Sequence, residues 1–351
     1  MLQWKSVLGL ALWLVAFFGP GLVNAGHALW ESSHAKIKHA VPISVDSQVV
    51  TTWPLGEVRY CWASQTERDR FERILRSAIN VWYAAGLPEQ RFTFTQISQA
   101  ECTRSRRDSL LVIMAESPYE FATSVGKYVP EAGDFNHGPI MIIPNAYDEQ
   151  FGWGAPGGSS RQEKFMHAIG HILGLYHEHQ LPWFWESNQF ELNCQNLYGY
   201  EDALLRAPRG IPLFDKERGI CGNRRAAMEA GFKVAAQILP MTDEPELAHL
   251  HHPNRAATAY DVDWDSIMMY NSRSGVRQGL RGLGLKTTRH MNGRISVNHQ
   301  PTLKDVQALI QLYDAAVDKA FERLYLDPRS EHYVTFQRIK QAGSCNRQLK
   351  K

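Results

Sequence analysis

The chain has 351 residues, 44% of them apolar, enough for one large domain or two small ones. Its formal net charge is +2 with acids and bases interspersed, so composition gives no reason to invoke a nucleic-acid partner. Beyond the leader, no stretch reaches the roughly twenty apolar residues of a membrane span.

Residues 1–25 read as a signal peptide. Lys5 supplies the positive start, residues 7–18 the apolar core, and Val23, Asn24 and Ala25 a small-residue cleavage site before Gly26. A secreted, soluble mature protein is expected. The cysteines are Cys61, Cys102, Cys194, Cys221 and Cys345, and an exported protein would hold most of them oxidised. An odd count leaves one over. Each neighbouring pair would staple one local region, so Cys61–Cys102 and Cys194–Cys221 are the expected bridges, although spacing alone does not fix connectivity. No Cys-x-x-Cys occurs, which argues against a thiolate zinc site.

Residues 26–50 are polar and without clear periodicity, either a pro-segment or a loose N-terminal arm. Order is expected from Thr51, with a strand over residues 58–62. Ser64 and Glu67 have capping-box spacing for a helix striped by Phe71, Ile74, Leu75, Ala78 and Trp82 and stopped by Gly86. That stripe reads as core. Residues 91–97, 109–115 and 138–143 are further strand candidates, the middle one a continuous apolar run suited to a central strand. Residues 152–159 are Gly-rich, and Ser160 with Glu163 starts a second helix. Later helices are expected over 201–206, 224–239 and 302–324. Thr302 caps the last of these, and Val306, Leu309, Ile310, Tyr313, Val317, Phe321 and Leu324 line one of its faces. Residues 243–254 read as loop and 327–351 as a basic tail.

The helix after Ser160 carries the chemistry. Residues 167–180 read HAIGHILGLYHEHQ, which places His167 and His171 four apart on one helix face. Gly174 can end that helix in a left-handed turn and swing His177 round as a third imidazole. Three neutral imidazoles with an open fourth position make a catalytic type of zinc site, with one Zn2+ per chain. Position 168 is Ala168, where zinc peptidases of this pattern carry a general-base Glu.

With that exception, the stretch resembles the extended zinc motif of the astacin-like metalloendopeptidases of the metzincin group. Residues 260–270, YDVDWDSIMMY, resemble the family's Met-turn segment. Weaker support comes from Trp53 to Tyr60, with Trp82, Gly86 and Leu87, and from residues 301–313, which resemble the family's closing helix. Together these span roughly residues 51–315, within an expected catalytic domain over 51–325.

The resemblance implies an α+β fold in two subdomains, a twisted N-terminal sheet with two helices above a cleft and a less regular C-terminal half below it. It implies that His167, His171 and His177 hold zinc, that Met268 forms a soft floor beneath it, and that Tyr270 can reach the metal or donate to a developing oxyanion. In the family, Glu178 would meet the new N-terminus of the processed chain. Met269 stands where the family usually has His, and Leu181 where an Arg is common.

Other histidines read more plainly. His179 breaks the ligand spacing and reads as a surface residue or one packed behind a ligand. His249, His251 and His252 beside a Pro read as a solvated loop rather than a second metal site. Glu163 is better placed to cap its helix than to replace the missing base. Ala168 fits two readings, a natural member that has lost its base or an altered version of an active enzyme. The expected function is a secreted zinc metalloendopeptidase acting on polypeptides, impaired by Ala168. The rival is a zinc-binding pseudoprotease that holds peptides or a partner without cutting.

Overall fold

A five-stranded sheet organises the first half of the chain. The structure is a computed structural model that describes residues 42–44, 50–115, 121–128, 137–144, 160–242, 255–277, 279–280, 282–288, 291–326, 333–334 and 337–338. In chain order these begin with β1 (Val50–Thr51), β2 (Glu57–Trp62), α1 (Gln65–Ala84), β3 (Thr93–Gln96), α2 (Gln99–Arg104) and β4 (Leu110–Ala115). Next come β5 (Ala122–Thr123), β6 (Lys127–Tyr128), β7 (Ile140–Pro144) and α3 (Arg161–Leu173). The main sheet runs β3-β2-β4-β7-β5, parallel except for β5, which lies antiparallel on the β7 edge. Strand β4 is central and reads as an unbroken apolar run, as a strand covered on both faces must. Tyr60 registers with Leu110, and Val112 with Met141.

The second half is made of short pieces. These are α4 (Pro182–Glu186), β8 (Phe190–Leu192), α5 (Tyr200–Arg206), α6 (Arg224–Glu229), α7 (Lys233–Ile238) and β9 (Leu285–Thr287), closed by the long α8 (Leu303–Leu326). Strands β8 and β9 pair antiparallel. The mixed α+β architecture expected from the sequence is present, with two hydrophobic cores. The first joins Val58 and Tyr60 of β2, Phe71, Leu75 and Trp82 of α1, Phe165 and Ile169 of α3, and Leu309 and Leu312 of α8. The second gathers Phe184, Phe190, Leu197, Phe232, Ile238 and Leu285. Burying each such side chain contributes about 1.5–3 kcal/mol.

Several local expectations are corrected. The helix expected over 224–239 is two helices, because Gly231 adopts φ 69° and turns Phe232 into the second core. Ser64 caps α1 through Thr66 N rather than Glu67 N, so no reciprocal box forms there. On α8, Val317 is 46% exposed while Ala308 and Leu312 are buried, which rotates the apolar face from the one expected. Order also begins before Thr51. Pro42 bridges Leu175, and Ile43 donates its N–H to Gly174 O at 2.7 Å with its side chain buried.

Both expected disulfides are present. Cys61–Cys102 ties β2 to α2, and Cys194–Cys221 closes a loop of the second half. Among the described residues no helix is long and apolar enough to cross a membrane. The expected leader at 1–25, most of the expected arm at 26–50, the Gly-rich 152–159, the expected loop at 243–254 with His249, His251 and His252, and Cys345 lie outside the described residues.

Candidate metal centre

Helix α3 is fixed at both ends. Ser160 Oγ accepts from Glu163 N at 3.1 Å while Glu163 Oε2 accepts from Ser160 N at 2.9 Å, a complete capping box. The other Glu163 oxygen meets His299 Nδ1, so this carboxylate is engaged away from the histidines. At the far end Gly174 takes φ 114°, Leu175 N donates to Gly170 O at 2.9 Å and Gly174 N to His171 O at 2.9 Å. This is a Schellman ending, and it turns the chain back toward the helix face. Two carbonyls of the last turn also accept from outside the helix. Gly126 N donates to His171 O at 2.7 Å and Trp53 Nε1 to Ile172 O at 2.7 Å.

Those two ends bring His167, His171 and His177 together. Their Nε2 atoms form a nearly equilateral triangle with edges of 3.0, 3.0 and 3.1 Å. Each Nδ1 faces an oxygen, Ile267 O at 2.7 Å, Leu175 O at 2.7 Å and Gln180 Oε1 at 2.8 Å. An oxygen acceptor keeps the proton on Nδ1, so each Nε2 presents a bare lone pair to the other two. Three converging lone pairs repel one another unless a cation sits among them. A tetrahedral zinc with bonds near ~2.0 Å needs ligand atoms about 3.3 Å apart, so the donor set and its spacing fit that ion. Among the described residues no other cluster of His, Cys, Asp or Glu has this spacing.

Electrostatics favour the ligand form. Burial lowers the His167 pKa to about 4, and burial with mutual repulsion holds His171 and His177 well below the usual imidazole value. All three are therefore neutral near pH 7.

The surroundings come from the return of the chain through residues 261–272. Met268 packs in the first core against α3, where a Cβ built on Gly170 would lie 2.4 Å from its sulfur. Its neighbours Met269 and Tyr270 belong to the second core. The Tyr270 ring lies 4.2 Å from that of His177 and 5.9 Å from that of His167. Burial pushes its phenol well above the usual range, which keeps the O–H protonated. His179 is not on the surface. It is fully buried, stacks on His177, lies tilted against Tyr270, and its Nε2 donates to Gln237 O at 3.1 Å. Leu181 is buried in the second core. Ala168 is fully buried in the first core, beside the first histidine.

Two carboxylates support this turn. Asp305, at the start of α8, accepts from Ser266 Oγ at 2.6 Å, Ile267 N at 3.2 Å and Thr302 N at 2.9 Å. It thereby holds Ile267, the residue whose carbonyl orients His167. Glu178 Oε1 accepts from Asp263 N at 3.0 Å, and its own N–H donates to Met268 O at 3.1 Å. Burial raises Glu178 to about 8 and Asp305 to about 6. Sequence reasoning missed Asp305 and Gln180. Thr302-x-x-Asp305 has the spacing of a cap and could have disclosed the first, whereas Gln180 carries no sequence signal.

No family model matches the sequence, and no curated protein matches it. Among solved structures the chain is similar to high choriolytic enzyme 1, a hatching-enzyme zinc-protease from Oryzias latipes (medaka fish). That likeness has 14% identity and a TM-score of 0.43, over 78% of this chain and 98% of that one. It is also similar to myroilysin, at 17% identity and a TM-score of 0.37, over 76% of this chain and 97% of that one. Both scores are low, so what the site can do follows from its own atoms.

Proposed function

We propose that the chain is a secreted zinc metallopeptidase in architecture whose hydrolytic power is impaired at Ala168. The observation that carries this reading is the triangle of Nε2 lone pairs, each locked by a proton on the opposite ring nitrogen. His167, His171 and His177 would hold one Zn2+, which when bound lowers the pKa of water toward about 7 and polarises a carbonyl. Ile267 O, Leu175 O and Gln180 hold the three rings in the ligand tautomer. Tyr270, protonated and tilted against the His177 ring, supplies an O–H donor for a developing oxyanion. Ala168 offers a methyl group where a proton acceptor is needed. Loss of general acid–base catalysis costs about 100- to 10,000-fold in rate, or roughly 3–5 kcal/mol of barrier. The substrates would be polypeptides.

The position of Ala168 also supports a second reading, a zinc-binding pseudoprotease that retains a peptide or a partner without cutting. Peptidase assays of the chain and of Ala168→Glu separate the two. A rise of about 100-fold or more, abolished by a chelator, marks a protease lacking only its base. A revertant that stays inert with one zinc bound favours the binding reading. Absence of zinc from the native chain, or unchanged zinc content in His171→Ala, would sink both.

A further inference from the structure

We infer that Gln180 is the positioning residue of His177, fixing the third imidazole in its metal-binding orientation through its side-chain oxygen. This rests on the zinc reading above and concerns how one ligand is held. His167 and His171 sit on α3, and their Nδ1–H groups donate to the backbone carbonyls of Ile267 and Leu175, which no substitution removes. His177 lies past the end of that helix, where no helical repeat sets its ring. Its Nδ1–H donates instead to Gln180 Oε1 at 2.8 Å, the only side-chain acceptor among the three.

Gln180 is itself held on every side. It is 5% exposed, and its backbone N–H donates to His177 O at 3.1 Å. Its carbonyl accepts from Met241 N at 3.0 Å. Its Nε2 donates to Leu239 O at 3.3 Å, and this donor role places the oxygen, not the nitrogen, against His177. Leu239 and Met241 follow α7 in the second core. The third ligand is therefore aimed from the second core, and the other two from the helix end and the turn at residues 266–270.

Three variants test this. Gln180→Glu keeps an oxygen for His177 and loses the donor to Leu239. Gln180→Met loses both. Gln180→Asn keeps the amide but is one methylene too short to reach Nδ1. Zinc affinity is read by competition with a chromogenic chelator, and ligand geometry by the visible spectrum of the Co2+-loaded protein. Thermal melting of the metal-free protein reports folding. Gln180→Glu should bind zinc within about threefold of the parent, while Gln180→Met and Gln180→Asn bind about 10- to 100-fold more weakly with an altered Co2+ spectrum. Metal-free melting should fall in all three, including Gln180→Glu with its intact affinity.

Gln180→Asn stands in if Gln180→Met does not fold. The inference is overturned if Gln180→Met and Gln180→Asn bind zinc like the parent, or if Gln180→Glu is as weak as they are. A parent chain that binds no zinc at all overturns the site reading, and this inference with it.

Discussion

The two cores are built in opposite ways. The first rests on long elements, with four parallel strands covered by the 20-residue α1 and the 13-residue α3. The second is assembled from helices of five to seven residues and a two-stranded pair, stapled by Cys194–Cys221. The candidate metal centre draws on both. Two histidines stand on the regular side, and the third is oriented from the irregular one. Meanwhile the turn at residues 266–270 crosses the boundary, sending Met268 to the first core and Met269 to the second. A rigid helix supplies spacing, and an irregular segment supplies the directions that a helix cannot.

Breaking the staple should have the largest effect on this contrast. The Cys194–Cys221 and Cys61–Cys102 loops have sequence separations of 27 and 41. Chain entropy assigns them about 3.5 and 4 kcal/mol, nearly equal amounts. The combined change Cys194→Ser and Cys221→Ser should nevertheless open the second core alone. Hydrogen exchange would then rise in α5, α6 and α7 while β4 and α3 stay protected. Equal loss of protection in both cores would show a single cooperative unit.

Gly170→Ala probes the boundary itself. The added methyl would meet the Met268 sulfur at 2.4 Å and Trp82 Cζ2 at 3.3 Å. Met268 can shift its flexible end but Trp82 cannot, since its Nε1 is bonded to Met166 O at 2.9 Å. A loss of about 1–3 kcal/mol in denaturant unfolding is expected. An unchanged midpoint would mean that the contact between turn and helix is loose.

The smallest effect is on pH dependence, and it has two signs. In the metal-free protein, His167 and His179 have pKa values lowered to about 4 and about 3 by burial. The unfolded chain takes up protons below about 6.5 where the folded one does not, so their contribution is lost as pH falls from there toward 4. Glu178, raised to about 8, behaves oppositely. Its folded form keeps a proton that the unfolded chain releases near about 4.3, so stability declines as pH rises toward 8. Glu178→Gln should flatten the alkaline arm of a melting-temperature profile and leave the acid arm in place. A profile unaltered above pH 7 would place the alkaline loss elsewhere.

What the sequence discloses follows the same division. The capping box at Ser160, the spacing of His167 and His171, the left-handed Gly174 and the apolar run of β4 are local patterns, and each is where it was expected. Both disulfide pairs were also legible, because each joins neighbours in the cysteine order. The contacts that escaped are between residues far apart in the chain. Asp305 reaches back to Ser266, and Met268 dictates a glycine at 170. Leu312 packs on Gly174, which turns α8 away from the face drawn by its own periodicity. His179 looked like an outlier in spacing because its role is set by Tyr270 and Gln237, not by the helix before it.

The short segment at residues 42–44 acts as a plug behind the histidine turn. Ile43 is wedged beside Gly174, Gly126 and the first core, and its N–H holds the carbonyl of the residue that ends α3. A chain shortened to begin at Pro42 would keep that plug seated. Removing residues 42–44 as well would strip a buried isoleucine from the rear of the histidine turn and leave Gly174 O without its partner. N-terminal truncation should therefore be tolerated up to Pro42 and be felt at the histidine helix beyond it.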